Sequence, residues 1–224
     1  MRALSITPPL LTRQAISQIS GSATLSFVGI VYFSATINAL HLLRTDVDPI
    51  ARTTSEYAVG SYGYLMTSAF LAICLASLAL AYGLYVGVAP SAISRPGLGL
   101  IMLWAIGVLI VMVFPIDPEG TPRTTAGTIH RIVGPPTFLS LSAGAFLVSR
   151  RMNFDERWLA VRRPAVLLSL AMLILWILIP LNIALDIGLL GLVQRILLVT
   201  LVTWYLLVTA RLYLVATARD SNVS

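Results

Sequence analysis

The chain has 224 residues, 58% of them hydrophobic and only 11% charged, against roughly 25% charged in an ordinary soluble domain, and with a mean hydropathy of +0.90 it is too apolar to be soluble. At about 20 residues per membrane crossing, this length accommodates six spans in one domain and leaves no room for a separate soluble one, so any activity resides in the bundle or its loops. The net charge of +6 and pI of about 10.0 would point to nucleic acid in a soluble protein, but here the basic residues lie between apolar segments and read as topology signals; no nucleic-acid partner is expected.

All fifteen basic residues are Arg, the usage of a GC-rich genome, and a prokaryotic source is the expectation. The single cysteine, Cys74, lies inside an apolar run without a partner for a disulfide or a CxxC site and reads as a packing residue.

The fold class predicted is an all-α integral membrane bundle of six transmembrane helices with both termini in the cytoplasm. The spans are placed at residues 19–43, 60–86, 98–114, 132–149, 164–184 and 189–215. They form a transmembrane domain over 19–217, between cytoplasmic tails at 1–18 and 218–224. The first span is too long for the apolar core of a signal peptide, and no small-residue cleavage site follows it, so it is expected to remain in the mature protein. With the amino terminus inside, the cytoplasmic segments hold ten Arg against three acids, and the outer segments five Arg against six acids. The densest cluster, from Arg150 to Arg163, sets the orientation by the positive-inside rule and is expected to be solvated near anionic headgroups. A plasma (inner) membrane location follows, with membrane lipid as the constant partner.

Polar residues in or beside a bilayer are costly and usually face a protein interior, so their placement along the chain is informative. On span one, Asn38 and His41 share a face toward the outer end, with Arg44 just beyond. Before span two, Ser55 has the character of a helix cap with Glu56 in the first turn, where the helix dipole favours an anion. Gly60, Gly63 and Thr67 form a small-residue stripe suited to close helix approach. Span three ends in Pro115-Ile116-Asp117-Pro118-Glu119-Gly120, whose prolines and glycine hold Asp117 in a rigid turn. His130 precedes Gly134-Pro135-Pro136, an interruption that predicts a short re-entrant or interfacial turn.

In span five, Pro180 is expected to kink the helix, with Asn182 and Asp186 beyond it. Span six then places Arg195 about six residues into its apolar run, roughly 9 Å along the axis, where it needs a counter-charge or an anionic ligand. Asp186 is the expected partner, with Asp117 and Glu56 as alternatives.

The stretches SEYAVGSYGYLM from Ser55, VFPIDPEG from Val113, TIHRIVG from Thr128 and GLVQR from Gly191 together resemble the prokaryotic membrane family called domain of unknown function 998. The resemblance covers about residues 19–215. It implies six helices and brings no substrate or catalytic residue with it.

Four functions compete. The first is a protein that binds, senses or transports a small-molecule or lipid-headgroup ligand in an outward-facing polar pocket built from His41, Glu56, Asp117, His130, Asp186 and Arg195. The second is a membrane-embedded metal-dependent hydrolase, short of ligands because the chain has two His and no HxxxH, HExxH or CxxC spacing. The third, a haem held by His41 and His130, lacks a second His pair for relay across the membrane. The fourth is a structural or assembly protein whose polar groups are internal glue. No serine-nucleophile motif or phosphate loop occurs, and neither a cofactor nor a metal is expected.

Overall fold

The computed structural model describes residues 13–118 and 120–220; the Arg2 and Glu119 contributions to the charge balance lie outside them. Among the described residues the chain forms six long α-helices and no strand: α1 (Arg13–Leu43), α2 (Gly63–Gly87), α3 (Arg95–Val113), α4 (Thr125–Arg151), α5 (Leu159–Ala184) and α6 (Leu190–Asp220). All six are long and apolar enough to cross a membrane, and a helix is the only open-ended element that satisfies every backbone group within itself in lipid. Residues such as Leu42, Leu167 and Val199, each more than 60% exposed, give the bundle its lipid-facing surface.

Each helix packs against its neighbours in sequence, α1 closes the ring onto α6, and α2 touches α6 across the centre. Successive spans run antiparallel, as alternate crossings of a membrane require. Close approach comes from small residues: a Cβ on Gly29 of α1 would lie 2.8 Å from both the Ala72 carbonyl and the Ala76 Cβ of α2, so a larger residue there would push the two helices apart. At the centre the polar atoms of Trp104, Trp204 and Tyr205 are paired. Ser77 donates its hydroxyl proton to the Ile73 carbonyl (2.6 Å) and accepts from Trp104 Nε1 (3.0 Å) and the Tyr205 hydroxyl (2.7 Å). Trp204 donates to Ser149 (3.0 Å). Helix α5 is the peripheral one, with 17% of its most apolar stretch buried.

The loops at 44–62, 114–124 and 185–189 lie at one end of the bundle, the loop face; those at 88–94 and 152–158 lie at the other. At that second end part of the Arg150–Arg163 cluster is structural and not merely solvated. Arg157 pairs with buried Asp155 (2.5 Å) and donates to the Gly87 carbonyl (3.0 Å), while Asp155 also accepts from the Ala89 amide (2.8 Å). The two loops are thereby tied together.

Three local expectations are corrected. Ser55 and Glu56 do not begin α2: residues Thr54–Ala58 form a separate 3-10 turn, and α2 starts at Gly63 after Tyr62 in the left-handed region (φ 62°). In the Gly60–Gly63–Thr67 stripe the close neighbour of Gly63 is its own loop and not another helix: a Cβ there would sit 2.5 Å from the Ala58 carbonyl. His130 lies on continuous helix. Pro135 and Pro136 lack the amide protons that would bond the carbonyls of Arg131 and Ile132, yet α4 runs through them. The Thr137 hydroxyl on the Val133 carbonyl (2.7 Å) and Trp176 of α5 on the Pro135 carbonyl (2.8 Å) add bonds to the same stretch.

Candidate functional site

The loop face is organised around residues 44–62, held down by two arginines. Arg44, at the end of α1, is 7% exposed. Its guanidinium takes Asp46 in a fork, with both N–H···O distances 2.8 Å, and donates to the carbonyls of Val59 (2.7 Å) and Ser61 (3.0 Å). Hydrogen bonding to Arg44 holds the Asp46 carboxyl below its usual range, and the carboxylate raises Arg44 in turn. The chain turns back over this guanidinium at Gly60, whose φ of +82° favours glycine.

From α6 comes a second set of contacts, made possible by Gly191: a Cβ there would lie 2.3 Å from the Arg52 carbonyl and 2.7 Å from that of Pro49. Against this flat surface the Leu192 amide donates to the Ile50 carbonyl (2.9 Å), and Gln194 Oε1 accepts from the Thr54 amide (2.8 Å) and hydroxyl (3.2 Å). Arg195 donates to His41 Nε2 (2.7 Å), the Arg52 carbonyl (2.6 Å), the Gly191 carbonyl (3.1 Å) and the Tyr57 hydroxyl (3.1 Å). Tyr57, 1% exposed, also sets its ring edge to face against His41.

This arrangement corrects the expected ion pair. Among the described residues no carboxylate meets Arg195; neutral acceptors replace water around its guanidinium. Asp186 lies in the exposed turn between α5 and α6 at φ 49°. That turn is held instead by Asn182, whose Oδ1 accepts from the Leu189 amide (3.2 Å).

Across the face, Asp117 is rigid because of Thr124 as well as its prolines. Its two oxygens accept from the Thr124 hydroxyl (2.6 Å) and amide (3.1 Å), and the same hydroxyl caps α4 by accepting from the Gly127 amide (3.1 Å). Only glycine fits at 127, where a Cβ would fall 1.9 Å from an Asp117 oxygen. The two Thr124 bonds, aided by Arg131 and Arg123, hold the Asp117 carboxyl below its ordinary range. One turn further along α4, His130 is 5% exposed and bonds through Nδ1 to the Phe114 carbonyl (2.9 Å).

Between the loop at 48–56, the Ile116–Asp117 turn, α4, α5 and the start of α6 lies a partly open cavity of about 610 Å³. Its lining mixes polar residues, Asp48, Arg52, Glu56, Asp117, His130 and Arg131, with apolar ones, Pro135, Phe138, Ile179, Ile183 and Leu190. Arg52 and Glu56 form an ion pair of 2.7 Å across one helical turn.

Three of the six expected site residues, Glu56, Asp117 and His130, therefore line one cavity. His41 and Arg195 lie behind the loop and support it through Arg52 and Tyr57; Asp186 does not reach the cavity. Asn38 bonds back to the Ser34 carbonyl (2.8 Å) on an exposed face. The sequence reading missed Arg52, Tyr57, Thr124, Arg131 and Gln194 as members of this region, although Arg131 and Gln194 stand next to His130 and Arg195 within the motifs TIHRIVG and GLVQR.

Among the described residues no three of His, Cys, Asp and Glu gather as a metal ion would require. His41 has both ring nitrogens engaged, on Ile37 (2.7 Å) and Arg195, so it offers no lone pair to a haem iron. The site has the make-up of a binding cavity, with acidic and basic groups and hydrocarbon side chains in one lining.

The fold and site define a multi-pass helical membrane protein with a mixed polar and apolar cavity at its loop face. The model of the family described as Protein of unknown function (DUF998) matches residues 27–211, most of the chain, and this chain belongs to that family. No curated protein and no solved structure matches it.

Proposed function

We propose that this protein binds a membrane lipid or lipid-like small molecule in the loop-face cavity, for sensing or transport, with the cavity facing outward from a prokaryotic plasma membrane. The observation that carries this is the cavity's mixed lining of charged and hydrocarbon side chains. A wholly soluble ligand would gain little from Phe138, Ile179 and Ile183, and a bare hydrocarbon would leave Asp117, Glu56 and Arg131 unmatched. Ile183 and Pro135 are both exposed, as residues that meet a lipid chain at the cavity would be. Orientation rests on charge: ten Arg against three acids on the terminal side and five against six on the loop side.

The test uses the full chain in lipid nanodiscs with a phospholipid photolabelled in its acyl chain. Labelling is expected to concentrate near Phe138 and Ile179. It is expected to fall severalfold in Gly134→Trp, because a side chain at 134 has open space around its Cβ and would fill the cavity. Labelling spread evenly over all lipid-facing helices and unchanged by Gly134→Trp would overturn the proposal.

A further inference from the structure

The ligand class follows from which hydrogen-bonding positions in the cavity are already taken; this inference rests on the cavity being a lipid site. His130 lines both the main cavity and a small apolar pocket of about 30 Å³ behind it. A carbonyl can only accept, so the Phe114 bond places the proton on Nδ1 and leaves Nε2 of the neutral ring with a lone pair, to which the Val111 carbonyl, also beside the ring, offers no donor. Among the described residues nothing donates to that nitrogen. It is not sealed in packing either, unlike Thr53 Oγ1 or Trp158 Nε1, which are fully enclosed and unpaired. A buried ring edge of this kind needs a donor from whatever occupies the cavity.

The cavity lining also carries the carboxylates of Asp117, Glu56 and Asp48. Two of them keep acceptor capacity despite their protein contacts: Glu56 is bonded through one oxygen to Arg52, and Asp48 uses one oxygen on the Ile50 amide (2.8 Å). The interior thus presents acceptors and negative charge. The cation on the α4 wall is Arg131, exposed and without a hydrogen bond to any described residue. A ligand that satisfies all of these is an amphiphile with an anion for Arg131, an N–H-bearing cation for the carboxylates and His130, and a hydrocarbon chain for Ile179 and Ile183.

We infer that the cavity selects a phospholipid whose headgroup joins a phosphate to a primary ammonium, of the ethanolamine type. The phosphate sits at Arg131, where a guanidinium fork matches two phosphate oxygens. The ammonium lies between Glu56 and His130, its three donors meeting acceptors that a trimethylated ammonium cannot serve and that a glycerol headgroup meets without positive charge.

The experiment is native mass spectrometry of the full chain in detergent with an equimolar mixture of phosphatidylethanolamine, phosphatidylcholine and phosphatidylglycerol bearing identical acyl chains. The ethanolamine lipid is expected to be retained about tenfold over either competitor, the difference of roughly one unmatched polar group. His130→Phe should narrow the ethanolamine-to-choline ratio to below about twofold, whereas Arg131→Ala should lower all three lipids together. If His130→Phe fails to run as a folded species on gel filtration, Glu56→Gln serves the same purpose and should narrow the same ratio. Equal retention of the three lipids, abolished by Gly134→Trp, would overturn the headgroup assignment and leave the cavity as a lipid site. A preference for choline or glycerol would do the same. Retention of none would overturn both.

Discussion

The Nε–H of Arg195 is directed at Nε2 of His41, 2.7 Å away, so that α6 is tied to α1 through two side chains that are both basic. The contact exists only while Nε2 carries a lone pair, and the bond from His41 Nδ1 to the Ile37 carbonyl (2.7 Å) keeps the proton on the other nitrogen. With the Arg52 carbonyl and the Tyr57 hydroxyl accepting from the same guanidinium, Arg195 pins the loop that forms one wall of the cavity.

Removing that pin should be costly in a way that identifies its partners. Arg195→Ala is expected to lower stability in detergent by about 1–3 kcal/mol, because several buried acceptors lose their donor. Lys at this position should recover only part of the loss, since an ammonium lacks the planar fork. In double-mutant cycles Arg195 should couple to His41 and Tyr57 by about 0.5–3 kcal/mol and add independently with Asp186→Asn. Coupling to Asp186 as large as that to Tyr57 would contradict the arrangement.

Asp117 makes the acid limb of the stability profile informative. A carboxyl whose pKa is lower in the folded than in the unfolded state adds stability above its ordinary range and surrenders it as pH falls through that range toward the folded value. The Thr124 bonds place Asp117 in this class. Thermal melts followed from neutral pH to about pH 3 should show a decline in the wild type that is shallower in Asp117→Asn, which starts from lower stability at neutral pH. Parallel profiles for the two proteins would show that the carboxylate does not support the α4 cap.

Orientation is testable with the one cysteine removed. In a Cys74→Ala background, a cysteine at Thr121 should react with a membrane-impermeant maleimide in intact cells. A cysteine at Asn153 should react only after permeabilisation. The reverse pattern would place the cavity on the cytoplasmic side.

Six membrane helices were legible because each needs only a run of about 20 apolar residues, a property of local sequence that no later contact can cancel. The gathering of polar groups at one end was legible for the same reason: His41, Glu56, Asp117, His130, Asp186 and Arg195 all stand near span ends that the alternating topology places on one side. The rigidity of Asp117 was readable from its flanking prolines. Which groups meet was not. Helices apolar nearly all round carry little signal for their rotation about their own axes, and that rotation, with the path of the loop at 44–62, decides partners. It turned Arg195 toward His41, Tyr57 and backbone carbonyls, and left Asp186, nine residues earlier, in an exposed left-handed turn. It brought Glu56 to the same cavity as Asp117 and His130 through a 3-10 turn that α6 holds by Gln194 and the bare surface of Gly191. Proximity along the chain favoured Asp186 for Arg195; the tertiary structure set neutral acceptors around that guanidinium, because a fixed set of carbonyl, phenol and imidazole lone pairs supplies the hydrogen bonds it would otherwise take from water.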